Sequence, residues 1–191
     1  MREYLNGELV INFWANGKRP FNELSNLTHI PDGIEIDGIK YASTEHAFQS
    51  LKYIEEQRSR FSVDGDLGDW DGLRLVVKPS EFDKKYKFWS KKNNIGIGAK
   101  MATNKKVGEK LGLIRDANFK STDELWIKIL KKKYSIDYFS NLLKSTGDIY
   151  LLEFDRHAKN RDSFWGGLIA DNMLHGNNQM GKYLMEVRNT L

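Results

Sequence analysis

The sequence predicts a mixed α and β chain, mainly helical, folded as one domain over residues 1–191. Three observations carry that expectation. Strand-like runs occur at only three places, Leu9–Trp14, Ile34–Ile39 and Ile149–Phe154, whereas helical patterns occupy most of the rest. No internal repeat, low-complexity tract or linker divides the chain. Its length suffices for a buried core without disulfide or metal staples.

Each element follows from local chemistry. Leu9–Trp14 (LVINFW) is apolar and aromatic, as a strand requires, and Asn16-Gly17 breaks it. Phe21–Leu27 mixes polar with large apolar residues and reads as a structured loop, because Ser25 and Asn26 can bond their own backbone. Ile34–Ile39 carries an Asp37-Gly38 turn, predicting a hairpin with the segment leading into Tyr41. Tyr41–Tyr53 (YASTEHAFQSLKY) begins a helix capped by Ser43 or Thr44 and running to about Arg58. Phe61–Leu73 is rich in Gly and Asp and reads as a flexible surface insertion. Its aspartates, Asp64, Asp66, Asp69 and Asp71, lack the ligand order of an EF-hand.

Further along, Pro79 precedes a helix over Phe82–Trp89, which Asn93-Asn94 ends; a second helix spans Ile97–Leu111. Asp116–Lys133 is the clearest amphipathic helix, with Leu125, Ile129 and Leu130 inward and its lysines outward; Trp126 suits either that core or a ligand. Tyr138–Ser145 is a short helix closed by Gly147, Ile149–Phe154 a buried strand, and Met180–Leu191 a last helix offering Leu184, Met185 and Val187 to the core.

Composition narrows the chemistry. The absence of cysteine excludes disulfides, thiolate catalysis and cysteine-bound zinc. Met1–Val10 is charged, with no apolar signal segment, and no apolar run reaches bilayer length. These features predict a cytoplasmic protein without a membrane partner. The net charge of +4 is unevenly spread. Lys84–Lys110 is basic throughout and Lys128–Lys133 adds a second cluster, while Asp64–Asp71 is acidic. Such a distribution suits a phosphate or nucleic-acid ligand, and equally suits solvated lysine-rich helices.

Three stretches carry candidate chemistry. On the Tyr41–Tyr53 helix, Glu45, Gln49 and Lys52 fall at i, i+4 and i+7, one face, flanked by His46. A carboxylate, an amide and an ammonium so placed could also form a solvated ion-paired face. Arg161–Gly167 sets Asp162 and Trp165 beside Gly166 and Gly167; Asp can take a ribose hydroxyl, Trp offers a flat face, and glycines admit close backbone approach. Gly176–Gly181, with Asn178, opens the last helix, whose free N–H groups suit an anion.

Taken in order, FNELSNL, STEHAFQSLK, DSFWGG, GNNQMG and LMEVR resemble the NADAR (NAD- and ADP-ribose-associated) family, also called YbiA-like, over roughly Ile11 to Leu191. The pieces that carry the resemblance are Ser25-Asn26, Glu45-His46 with Gln49 and Lys52, Asp162 with Trp165-Gly166, and Asn178 with Gly181. Two departures stand out. Leu27 replaces a frequent Phe, and the Phe61–Leu73 stretch and the segment around Trp89 are absent from shorter members.

The resemblance implies a compact α+β domain, mainly helical with a small β-sheet, and an N-glycosidase that hydrolyses the bond between ribose C1 and an amine. It implies that Glu45 stabilises the oxocarbenium ion and activates water, and that Asp162 holds ribose hydroxyls or acts as a second acid/base group. Lys52 would tune Glu45, bind phosphate or form a Schiff base with ring-opened ribose. Trp165 would stack on the base or adenine. Lys100 and the N–H groups after Gly176 would meet pyrophosphate, and Asn26 would orient the ribose or scissile amine. Ser25, His46, Gln49, Gly166 and Asn178 complete the expected binding set. No metal or other cofactor is called for.

The expected substrate is ADP-ribosylated guanine in nucleic acid, with an ADP-ribosyltransferase as candidate partner. Ribosylamino pyrimidine intermediates of riboflavin synthesis are the alternative substrate, and an ADP-ribose-binding module without catalysis the alternative class.

Overall fold

Two-residue turns organise most of the β structure in the computed structural model, which describes residues 3–191, the first of them by its backbone. Strands β1 (Glu3–Leu5) and β2 (Glu8–Phe13) pair antiparallel around Asn6-Gly7. Strands β3 (Ile34–Ile36) and β4 (Ile39–Tyr41) do so around Asp37-Gly38, the hairpin expected from the sequence. Strand β5 (Tyr150–Glu153) joins β2 in parallel, giving the order β1-β2-β5. Strands β6 (Leu168–Ala170) and β7 (Met173–His175) form a third hairpin around Asp171-Asn172. All six turn residues have φ between 50° and 84°. That is the type I′ pattern, whose twist matches that of the strands it joins and which Asn, Asp and Gly tolerate best.

Helices dominate the remainder. In order they are α1 (Thr44–Ser50), α2 (Glu55–Arg58), α3 (Trp70–Val76), α4 (Phe82–Ser90), α5 (Ile97–Ala102), α6 (Lys105–Lys110), α7 (Asp123–Tyr134), α8 (Asp137–Lys144) and α9 (Gln179–Arg188). The class is α+β, mainly helical, with three small sheets among the described residues rather than one. None of the described helices is long and apolar enough to cross a membrane.

The chain divides into two compact units. The first comprises the chain up to Ser25 together with Tyr134–Leu191. Its core joins the β1-β2-β5 sheet to α9 through Phe13, Leu151, Leu152, Leu184 and Val187, with Phe139 and Leu143 of α8 also buried. The second unit is Asn26–Lys133. There α5 packs against α1 and α3. Leu73, Val77 and Phe82 form a cluster completed by Trp70, Trp89, Ile97 and Met101. Phe48 stacks on Trp126 at 3.9 Å between ring centroids, which places the indole in the core of this unit.

Several elements differ from the sequence-based expectation. The helix expected to reach Arg58 stops at Ser50, because the following backbone is taken by a distant segment. Ile54 N–H donates to the Ile114 carbonyl at 3.1 Å, Asp116 N–H donates to the Lys52 carbonyl at 3.0 Å, and Tyr53 bridges to Arg115. The Phe61–Leu73 stretch is packed rather than a flexible surface insertion: Phe61, Leu67 and Leu73 are fully buried. Its aspartates act locally. Asp66 holds Arg60 through two bonds of 2.7 and 3.0 Å, and Asp69 caps α3 by accepting from the Asp71 and Gly72 N–H groups.

The helix expected over Ile97–Leu111 is two, α5 and α6, because the Asn104 side chain caps the second by accepting from Lys106 N–H. Phe21–Leu24 winds as a single 3₁₀ turn within the expected loop. Helix α7 begins at Asp123, not Asp116, since Asp116 caps a turn by accepting from Asn118 N–H. Lys133, expected to face outward, is fully buried.

Candidate active site

The Glu45 face is built by the N-terminal turn of α1. Ser43 lies in extended backbone and its Oγ accepts from His46 N–H at 3.2 Å, the cap foreseen from the sequence. Asn26 secures the same turn: its backbone carbonyl accepts from Glu45 N–H at 3.1 Å and from Thr44 Oγ1 at 3.2 Å. Gly96 closes the turn from outside, with its N–H on the Leu27 carbonyl at 3.0 Å. A Cβ there would lie 2.7 Å from Ser43 Oγ and 3.0 Å from Glu45 Cβ, so only glycine allows this approach.

Glu45 and Gln49 are each only 6% exposed, which removes the solvated-face reading of this stripe. Gln49 Nε2 donates to Glu45 Oε1 at 2.7 Å, so one helical turn fixes the carboxylate. The other end of that amide, Oε1, is buried without a hydrogen bond. It is a free acceptor beside the carboxylate.

Lys52 lies just past the end of α1, yet the turn still delivers it to the same place. Its ammonium sits 4.5 Å from the centre of the Phe48 ring. Burial lowers its pKa, Glu45 opposes that by favouring the charged form, and Arg115 and Lys100 add to the lowering. Lys100 is exposed on α5. The second unit therefore gathers Glu45, Gln49 and Lys52 with Lys100 and Arg115 in electrostatic reach. Arg115 is a member that the sequence reading missed. It stands far along the chain in no motif, and only the backbone bridge to Tyr53 brings it here.

His46 is placed differently from its neighbours. It is fully buried, with Nδ1 2.8 Å from Ser43 Oγ. Desolvation pushes its pKa down to about 4, and the Leu67 carbonyl beside the ring offsets this only in part. The neutral imidazole thus braces the helix cap.

The remaining expected residues belong to the first unit. Ser25 and Asn178 are buried, Asp162 is exposed and Trp165 is 37% exposed, packed edge to face on Phe164 at 4.9 Å. Asn178 adopts φ 49° and commits its whole amide: Oδ1 accepts from Glu153 N–H at 2.9 Å, and Nδ2 donates to the Leu151 carbonyl at 2.8 Å and to Tyr150 Oη at 3.1 Å. Gly166 is buried against β5, where a Cβ would come within 2.6 Å of the Glu153 carbonyl.

The N–H groups after Gly176, expected to be free for pyrophosphate, are occupied. Asn177, Asn178, Gln179 and Met180 donate to the carbonyls of Ser163, Gly166, Phe164 and Trp165 at 2.7–3.1 Å. This backbone lock is what the adjacent glycines make room for.

Asp155 is a second residue missed by the sequence reading. Burial disfavours its charge, but bonds from Arg161, the His157 N–H and Ser163 Oγ outweigh that and hold its pKa at about 2. Among the described residues no cluster of three or more His, Asp or Glu side chains is placed to hold a metal.

The chain is similar in fold to the E. coli protein YbiA, whose structure was determined by NMR. The TM-score is 0.54 and the identity 21%, with 95% of this chain and 83% of that one covered. No protein-family model and no curated protein matches the chain.

Proposed function

We propose that this protein is an N-glycosidase that hydrolyses the bond between ribose C1 and an amine, and that it removes ADP-ribose from guanine bases of nucleic acid. The observation that carries this reading is the buried Glu45 carboxylate, fixed by Gln49 at 2.7 Å and faced by Lys52. As the C1–N bond breaks, positive charge builds on C1 and the ring oxygen. A carboxylate in a water-poor site stabilises that charge more strongly than one in bulk water. The same carboxylate takes a proton from the water whose oxygen bonds to C1. The departing amine takes up a proton in turn. A lysine held below its ordinary pKa is a stronger acid than a free one, so Lys52 is assigned to supply it.

The free Gln49 Oε1 offers an acceptor for a ribose hydroxyl or the scissile N–H. For Asp162, Trp165 and Asn26 we propose the roles that the family resemblance implies, each to be scored by its own alanine variant.

The choice of nucleic acid rests on the surface of the second unit. Lys84, Lys87, Lys91, Lys100, Lys105, Lys106 and Lys110 are exposed there, with Tyr86 and Phe88 exposed among them at 39% and 52%. Cations interleaved with aromatic rings suit phosphates and stacked bases. The test is mass spectrometry of a guanine-ADP-ribosylated DNA oligonucleotide incubated with the protein. Release of ADP-ribose and recovery of unmodified guanine is the expected result. An untouched oligonucleotide alongside cleavage of a ribosylamino pyrimidine would keep the reaction class and overturn the substrate.

A further inference from the structure

Gln49 carries a feature that support of Glu45 does not explain. Its side chain lies one helical turn beyond the carboxylate and the residue is only 6% exposed. An ionised carboxylate offers acceptors alone, so the end of the amide that meets Glu45 Oε1 at 2.7 Å has to be the Nε2 donor. That orientation turns the carbonyl end away from Glu45, where Oε1 is buried without a hydrogen bond. Two amides that brace the fold use both of their ends. Gln57 donates to the Gly112 carbonyl at 2.9 Å and accepts from Ile114 N–H at 2.7 Å, and Asn178 commits both Oδ1 and Nδ2. A buried carbonyl without a donor is destabilising unless a ligand completes it.

The reach of this acceptor decides what it meets. The two ends of one amide stand about 2.3 Å apart, so Oε1 lies within about 5 Å of the Glu45 carboxylate oxygen. Water activated by that carboxylate approaches C1 from the Glu45 side, and the amine departs on the opposite side of the ring. An acceptor this close to the carboxylate reaches the hydroxyl on the carbon next to C1, not the departing nitrogen.

We propose that Gln49 reads the ribose 2′-hydroxyl: Oε1 accepts its hydrogen bond, which makes Gln49 the residue that separates ribosides from 2′-deoxyribosides. The placement of the sugar rests on the glycosidase reading. The consequence is largest on DNA. A modified guanine there carries two bonds from nitrogen to a sugar C1, one to the added ribose and one to the backbone deoxyribose. Only the added ribose has a 2′-hydroxyl to complete the Gln49 carbonyl. The deoxyribose would leave that acceptor buried and unpaired, so the backbone bond is spared. A hydrogen bond from this hydroxyl also strengthens as positive charge builds on C1, which favours the ribose in the transition state as well as in binding.

The test is calorimetric titration of the protein with uncleavable ligands in which a methylene replaces the ring oxygen of the sugar. One pair is built on ADP-ribosyl guanine and one on a ribosylamino pyrimidine, each made with and without the 2′-hydroxyl. In whichever pair binds, the hydroxylated ligand is expected to bind at least about tenfold more tightly. Gln49→Leu is expected to bring that ratio within about threefold. Leucine fills nearly the same volume and the lost support of Glu45 weakens both ligands alike, so a ratio set by shape or by Glu45 would survive the change. Equal binding of the two ligands by the parent protein would overturn the proposal without any variant, and so would an undiminished ratio in Gln49→Leu. Because the ligands are not cleaved, the ratio is read whether or not the protein hydrolyses ribosides. A tenfold ratio lost in Gln49→Leu, in a protein that turns over no riboside, would refute the glycosidase and uphold the hydroxyl reader; no binding of either pair would overturn both.

Discussion

Replacing Gly96 with alanine puts a Cβ 2.7 Å from Ser43 Oγ, 2.9 Å from Leu27 Cα and 3.0 Å from Glu45 Cβ. None of these atoms is the free end of a flexible side chain. Ser43 Oγ can swing aside only by releasing His46 N–H and Nδ1, which costs the cap of α1. Either the 94–98 backbone or the first turn of α1 must therefore move by a few tenths of an ångström. Overpacking of this kind costs roughly 1–3 kcal/mol. For a chain of this size that corresponds to a fall in Tm of about 2–12 °C. Displacing a reacting group by 1 Å costs up to about a hundredfold in rate, so a shift of a few tenths predicts a loss of roughly fourfold to tenfold. Calorimetry and turnover of an N-riboside substrate measure the two effects. A Gly96→Ala protein with unchanged Tm and full turnover would refute the argument that this glycine positions Glu45.

The other predictions concern single groups. Gln49→Leu removes the hydrogen bond to the Glu45 carboxylate, of a type worth about 1.5–3 kcal/mol, and should lower kcat by roughly tenfold to a hundredfold in steady-state assays. His46 holds a pKa of about 4 in the native state against 6.5 unfolded, so below pH 6.5 the unfolded chain binds the extra proton. Stability should decline by roughly 3 kcal/mol as pH falls from 6.5 to about 4; urea midpoints and an imidazole NMR signal that stays neutral at pH 5 check this. Asp155 shows the opposite sign, because its carboxylate is depressed to about 2. Asp155→Asn should weaken the Arg161 and Ser163 contacts and cost about 1–2 kcal/mol at pH 7, an effect that shrinks as pH falls from 4 towards 2.

What the sequence made legible was chemistry that acts within a few residues. The Ser43 cap, the Asp37-Gly38 hairpin and the Glu45–Gln49 pairing are all local, and each stands where the pattern put it. The turns at Asn6-Gly7 and Asp171-Asn172 carried the same signal and went unread, although Asx-Gly and Asx-Asx steps are the residues that type I′ geometry asks for.

Long-range competition was not legible. The end of α1 at Ser50 depends on backbone bonds to Ile114 and Asp116, some sixty residues away, and no periodicity within the helix announces them. Gly65 and Gly68 looked like loop residues. They are glycines because a Cβ at either would collide with the carbonyls of Arg60 or Ser62, so composition alone mistook close packing for looseness. Arg115 and Asp155 lay outside every motif and became visible only through the partners that surround them.

The central claim is that Glu45 carries the chemistry, and its most direct test pairs two numbers on one variant. Single-turnover rate constants for release of ADP-ribose from modified guanine should fall roughly a thousandfold or more in Glu45→Gln. The Kd for ADP-ribose, measured by calorimetry on the same protein, should stay within about tenfold of the parent. That split separates a group that stabilises the transition state from one that merely binds. A Glu45→Gln protein that turns over within about tenfold of the parent would contradict the account, whatever its affinity.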